Sequence, residues 1–164
     1  MHMLESFLGS VCEARGAYEA WRYAGKEAAI LAEGIHAVGP LHLPEWVDKG
    51  PRGYCYQTAM RAAVEHDHLR YVEGYALFQG IPLEHAWVYD MVTGAHYDPT
   101  WDQDGSEYYG VVFDTSFILS LSFCTERYGV WASERYDLLE AYMRDGFPEF
   151  AILQFGSNVP TTES

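Results

Sequence analysis

The chain has 164 residues, 49% of them hydrophobic, and carries ten Lys and Arg against 24 Asp and Glu for a formal charge of −14. This length fits one domain with a real core, and a surface this acidic, with no basic cluster, repels phosphate backbones, so nucleic acid is not expected as a partner. No run approaches the roughly 18 uncharged apolar residues of a membrane span and no basic-then-apolar leader is legible, so a cytoplasmic protein without membrane contact is expected.

Residues 4 to 35 place Leu4, Phe7, Leu8 and Val11, then Trp21, Ala24, Ala28 and Leu31, near helical spacing, and Gly16 marks a break between two helical pieces. Residues 36 to 53 hold Gly39-Pro40, Pro44, Gly50-Pro51 and Gly53, a density of breakers that predicts a long loop. From Tyr54 to about His66, Cys55, Ala59, Ala62 and Ala63 share one helical face whose small side chains permit close packing on a sheet. Leu69 to Leu77, Pro82 to Met91 and Ala95 to Asp98 then read as an antiparallel meander. Gln103 to Gly110 reads as a polar, acidic loop, and Tyr109 to Phe113 as a short strand. Asp114 or Thr115 is placed to cap a helix through about Arg127, and Ser133 to cap another to Arg144, stopped by Gly146 and Pro148. Glu149 to Phe155 fits an edge strand or surface packing. The predicted class is α+β, a single domain over 1–164 with a flexible polar tail from about 156.

Cys12, Cys55 and Cys124 are odd in number and far apart, which fits reduced thiols better than disulfides. With no CxxC, HxxxH or HExxH spacing, neither a metal nor another cofactor is expected. His66 and His68 could ligate an ion but suit a solvated helix exit. Cys12 and Cys124 are expected in the core.

Cys55 differs from the other two because it opens a helix, where unpaired amide N–H groups and the positive dipole end favour a thiolate and face a developing oxyanion. His85 follows 30 positions later at the start of a strand, and Asp98 lies 13 beyond that, so a thiol nucleophile, its base and the base's orienting group are all available. Alternation puts His85, Trp87 and Tyr89 on one face. A turn centred near Thr93-Gly94 sets Asp98 opposite about Tyr89, short of His85, so contact requires a bulge or a different turn. Each residue also has an inert role: Cys55 as a small core residue, His85 bonded to a backbone carbonyl, Asp98 capping the turn before Pro99. Trp87 and Trp101 flank the candidate site as substrate-cleft walls or as core, and the acidic loop 102–107 either selects a cation or is solvated.

Four blocks now stand in order: Gly53-Tyr54-Cys55-Tyr56-Gln57-Thr58-Ala59, Tyr71-Val72-Glu73-Gly74-Tyr75-Ala76, His85-Ala86-Trp87-Val88 and Asp98-Pro99-Thr100-Trp101. The series resembles the core of the transglutaminase-like branch of the papain-like cysteine superfamily, over about residues 50 to 113. Arg52 to Tyr56 also resembles, more faintly, the longer arylamine N-acetyltransferases. The first resemblance implies a papain/transglutaminase-like core, with the Cys-bearing helix packed on a small antiparallel sheet and extra helices flanking it. It also implies Cys55 as nucleophile, His85 as base and Asp98 as its support. The sequence departs from papain-type enzymes in having its nearest glutamine, Gln57, after the cysteine, so the second oxyanion donor is unassigned.

The function expected is a cysteine-dependent amide hydrolase or acyl transferase working through an acyl-enzyme on a peptide, protein or small acyl substrate. The alternatives are a transglutaminase-like binding module without the chemistry and an inhibitor that turns its acidic surface on a basic partner. Substrate and oligomeric state are not legible.

Overall fold

The computed structural model describes residues 2–17, 20–101, 103–131 and 136–155. Its elements in chain order are α1 (Met3–Arg15), α2 (Lys26–Glu33), β1 (Ile35–Val38), α3 (Cys55–Glu65), β2 (Leu69–Phe78), β3 (Ile81–Asp90), β4 (His96–Tyr97), β5 (Gly105–Phe113), α4 (Thr115–Thr125) and α5 (Tyr136–Asp145). The strands form one antiparallel sheet in the order β1-β5-β2-β3-β4, and the class is α+β. No helix among the described residues is long and apolar enough to cross a membrane.

β2 and β3 form the central hairpin, in register from Leu69↔Asp90 to Phe78↔Ile81. Gln79 and Gly80 join them at φ 50° and 78°, the two positive values of a turn whose twist matches that of the strands. Both faces of the hairpin are covered. On one, Tyr71, Ala86 and Val88 meet the buried side of α3, Ala59, Met60, Ala62 and Ala63, within the main core. On the other, Val72, Ala76, Trp87, Tyr108 and Val112 form a second core closed by the loop residue Leu41, with Trp101 packed against it. β2 is therefore buried almost continuously rather than alternately, as befits a strand enclosed on both sides.

Gly74 and Gly110 face each other across β2 and β5, in the same cross-sheet row as His85. A Cβ on Gly110 would lie 2.6 Å from the Trp87 ring, and one on Gly74 only 2.1 Å from the Tyr109 carbonyl oxygen. The sheet under His85 and Trp87 is close-fitted at these two positions, and glycine is what the fit requires.

Two strand assignments differ from the sequence reading. Ile35–Val38, expected as the end of the helical stretch at Ile35 and the start of the long loop from His36, pairs with β5 from Ile35↔Gly110 to Val38↔Glu107; four residues are too few for alternation to stand out. β5 starts at Gly105 rather than Tyr109, because β1 and β2 pair with its two edges and that outweighs the polar Ser106 and Glu107. The acidic loop thus ends at Asp104, and Asp104 forms an ion pair with Arg52.

The break at Gly16 and the cap of α4 are where the spacing put them: the Asp114 carboxylate accepts from the N–H groups of Ser116 and Phe117 at 2.9 and 3.2 Å. Cys124, expected in the core, is exposed, and Cys12 is half-buried. α4 is apolar on nearly every side, so apolar neighbours do not tell which side faces inward. Residues 149–155 add no strand, only the bridge Phe113↔Ile152. Ser133 and the tail from 156 lie outside the described residues.

Candidate active site

α3 begins abruptly. Gly53 turns the chain at φ 86°, and Tyr54 then takes the N-cap position, where it supplies no side-chain cap, with no acidic residue in the first turn. The first amide N–H groups of the helix, starting at Cys55, therefore meet no competing side-chain charge from their own helix. Upstream, the Gly50 N–H donates to the Pro99 carbonyl at 2.8 Å. The loop that delivers the cysteine is thereby fastened to the residue after Asp98.

His85 stands on β3 opposite Gly74. β4 pairs only with Val88 and Tyr89, so His85 lies on a stretch of β3 that has β2 on one side and an open ladder edge on the other. The N-terminus of α3 meets the sheet there. The observed register also removes the obstacle met in the sequence. Val88 pairs with Tyr97, a shift of two positions from the count based on Thr93-Gly94. The turn is tighter on the β4 side, closed by Asp90 N–H to the Ala95 carbonyl at 2.8 Å and Gly94 N–H to the Asp90 carbonyl at 2.8 Å. Asp98, one residue past Tyr97, thus arrives beside Trp87, one same-face step from His85.

The contact forms: His85 Nε2 and Asp98 Oδ2 are 2.8 Å apart, with the two side chains 1% and 0% exposed. Asp98 Oδ2 also accepts from the Tyr108 hydroxyl at 2.7 Å, and Oδ1 accepts from Thr100 N–H, Thr100 Oγ1 and Trp101 N–H at 3.0, 3.2 and 3.1 Å. Burial opposes the charge on Asp98, but the His85 bond outweighs it, followed by Tyr108 and the Thr100 amide, and the carboxyl is held below its ordinary range.

Burial likewise opposes a proton on His85. The Asp98 bond and the nearby Cys55 thiol overcome it and draw the imidazole up to about 9. With Nε2 committed to Asp98, Nδ1 is the nitrogen left for the sulfur. Thiol and ring are close enough for the sulfur to act on the imidazole both as a hydrogen-bond partner and through its charge. Cys55 itself is 9% exposed.

The two tryptophans part company. Trp101 stacks on His85 with ring centroids 3.8 Å apart and planes 22° from parallel, and it is half-exposed. It lines a polar groove of about 600 Å³ with Lys49, Arg52, Thr100 and Asp104. Trp87, expected as a cleft wall, is fully buried and donates its indole N–H to His96 Nδ1 at 2.9 Å. Its alternation placed it correctly on His85's face, but Gly110 opens a slot beneath the ring and that face is itself a core.

Sequence reasoning missed Tyr108, whose hydroxyl burial and Asp98 hold far above the usual tyrosine range. Extending β5 back through the acidic stretch would have found it, since Tyr108 alternates with Gly110 and Val112 on the face of His85. It also missed Glu73, fully buried on the opposite face, which accepts from Val130 N–H at 2.6 Å. Burial pushes Glu73 up to about 7 against the pull of that bond. Its Oε1 and the nearby Tyr71 hydroxyl lie outside hydrogen-bond geometry. Burial raises the phenols of Tyr56 and Tyr71, and the nearby Glu73 and Cys55 add to the rise of each. Comparison of the chain with family models, curated proteins and solved structures finds no match.

Proposed function

We propose that the protein is a cysteine-dependent acyl-transfer or amide-hydrolysing enzyme of the transglutaminase-like kind, with Cys55 as nucleophile, His85 as general base and acid, and Asp98 as the residue that fixes the ring. The observation that carries this reading is the buried 2.8 Å bond between His85 and Asp98, with Cys55 beside the same ring. The order of the four sequence blocks supports it.

In this mechanism the Cys55 proton passes to His85, and the sulfur attacks the carbonyl carbon of an amide or thioester. The carbonyl π pair moves onto oxygen, where the uncapped amides at the start of α3 meet it. As the intermediate collapses, His85 returns the proton to the leaving amine or thiol, leaving a thioester on Cys55. Water or an amine, deprotonated by His85, then releases the acyl group and restores the thiol. Asp98 holds the proton on Nε2 throughout, so that Nδ1 faces the sulfur. Trp101 shields the ring from water, and the groove beside it is the natural seat for the acyl donor.

The second reading, a module with this fold and no chemistry, draws on the near-burial of Cys55 and on the cover that Trp101 gives His85. Alkylation separates the two. At pH 6, where free thiols are mostly protonated, iodoacetamide should modify Cys55 at least about tenfold faster than the exposed Cys124, and His85→Ala should remove the preference. Uniform, slow modification of all three cysteines supports the module. A screen of peptide, thioester and amine substrates against wild type and Cys55→Ser then distinguishes hydrolysis from transfer.

A further inference from the structure

At the end of the sheet away from β3 and β4, three side chains from distant parts of the chain converge. His2 is the N-cap residue of α1, His36 lies on β1 and Glu107 on β5. One possible ligand atom from each lies within 4.8 Å of the other two. We infer that these residues form a site for a divalent transition-metal ion of the zinc class, which ties the start of α1 to the β1–β5 edge.

The spacing suits such an ion. Ligands about 2.0 to 2.1 Å from tetrahedral zinc lie roughly 3.3 Å from one another. His36 Nε2 and Glu107 Oε1, 3.1 Å apart, already span one edge of that tetrahedron. Two imidazole nitrogens and one carboxylate oxygen are a borderline donor set, better matched to zinc, copper or nickel than to calcium or magnesium, which prefer oxygen ligands throughout.

The carboxylate is held in place before any ion arrives. Glu107 is 8% exposed, and it accepts Leu4 N–H on Oε1 at 3.0 Å and Met3 N–H on Oε2 at 3.1 Å. These bonds orient the ligand in the way that outer partners commonly do at metal centres. The ion takes the His36 Nε2 lone pair in place of the hydrogen bond to Glu107 Oε1, the neutral ring carries its one proton on Nδ1, and any further proton passes to solvent. Neither amide bond to Glu107 has to break.

His2 completes the set. It is exposed, makes no side-chain capping bond, and stacks on His36 with centroids 3.7 Å apart. Turning this ring by a rotamer step to present a nitrogen costs a stacking contact and no hydrogen bond. Three protein ligands leave a fourth position for water. His66 and His68 lack this support: their rings are 6.1 Å apart and both pack on Trp46, and no third ligand joins them among the described residues.

Isothermal titration of the full-length chain with zinc chloride tests the site. One ion per chain is expected, with affinity reduced about 10- to 100-fold or more in His2→Ala and in His36→Ala, and unchanged in His66→Ala and Cys55→Ser. His2 is exposed, so its variant keeps the fold, and at a given zinc concentration the melting temperature of wild type should rise more than that of His2→Ala. Absence of saturable binding overturns the proposal. So does binding that survives both His2→Ala and His36→Ala, or that disappears in Cys55→Ser, which would put the ion on the thiol.

Discussion

Among the described residues, two histidine–carboxylate pairs have similar length and different character. In one, His85 and Asp98 meet at 2.8 Å with side chains 1% and 0% exposed; in the other, His36 and Glu107 meet at 3.1 Å with side chains 20% and 11% exposed. Asp98 accepts from five donors, and four of them come from the short segment 98–101 and from Tyr108. Glu107 is committed mainly to the start of α1. The pair that excludes water and stands beside a thiol has the makings of an acid–base device. The pair at the rim, beside a second imidazole, has the makings of a fastening. Environment, more than residue type, separates the two.

The largest expected effect that tests this contrast is Asp98→Ala. It removes the bond that draws the buried imidazole toward protonation, leaving the ring's Nε2 side without its partner, and it strands the Tyr108 hydroxyl and the Thr100 and Trp101 amides. Loss of one partner from a buried pair costs on the order of 3 to 5 kcal/mol, readable by urea denaturation. A cost under about 1 kcal/mol, typical of an exposed pair, would erase the distinction between the two sites. Asp98→Asn keeps the shape and removes the charge, so it should fold and yet lose most of the preferential alkylation of Cys55.

Next in size is the pH dependence. His85 is drawn from 6.5 to about 9 in the folded protein, so the stability it contributes is complete below about pH 6.5 and disappears as the pH rises through 9. The change is on the order of 3 kcal/mol if the full shift is expressed. Asp98 is held below its ordinary range, and its contribution is present above about pH 4 and lost as the pH falls further. The buried pair is therefore strongest between about pH 4 and 6.5. Unfolding free energies of wild type and His85→Gln should differ most at pH 5 to 6 and converge by about pH 9.5. Curves that stay parallel across that interval would mean that the buried ring gains nothing from its partner.

The two pairs also differ in how far the sequence revealed them. Cys55, His85 and Asp98 stood out because their local settings are short-range: a helix start without a cap, an alternating strand, an Asp-Pro turn. The distance from His85 to Asp98 was misjudged because register depends on turn hydrogen bonds, here those of Asp90, that composition does not specify. Tyr108 and Glu107 were hidden for a different reason. Both lie in a stretch whose polar residues read as loop, and only pairing with β1 and β2, set by contacts far along the chain, makes it a strand. Trp87 shows the converse error, a residue assigned to the right face of a sheet whose second face proved to be core. The helices were easier, since their caps and breakers, Gly16, Asp114 and Gly146, act within a few residues.

The smallest expected effect belongs to the rim. Glu107→Gln keeps one carbonyl oxygen that can still accept an amide from Met3 or Leu4, and it gives up the second acceptor and the charge facing His36. Exchanging one capping bond and a partly exposed contact with His36 costs about 1 to 2 kcal/mol, well below the Asp98 effect, and urea denaturation run in parallel should rank them so. The loss should fall on the N-terminus of α1: hydrogen exchange at the amides of Met3 and Leu4 should quicken, while the central amides of β2 and β3 keep their protection. Alkylation of Cys55 should be unaffected, because Glu107 lies on β5 while Cys55 opens α3 beside His85 of β3, and β2 stands between those two strands. If Glu107→Gln instead slowed that alkylation, the two pairs would be coupled through the sheet, and the separation between fastening and chemistry would have to be abandoned.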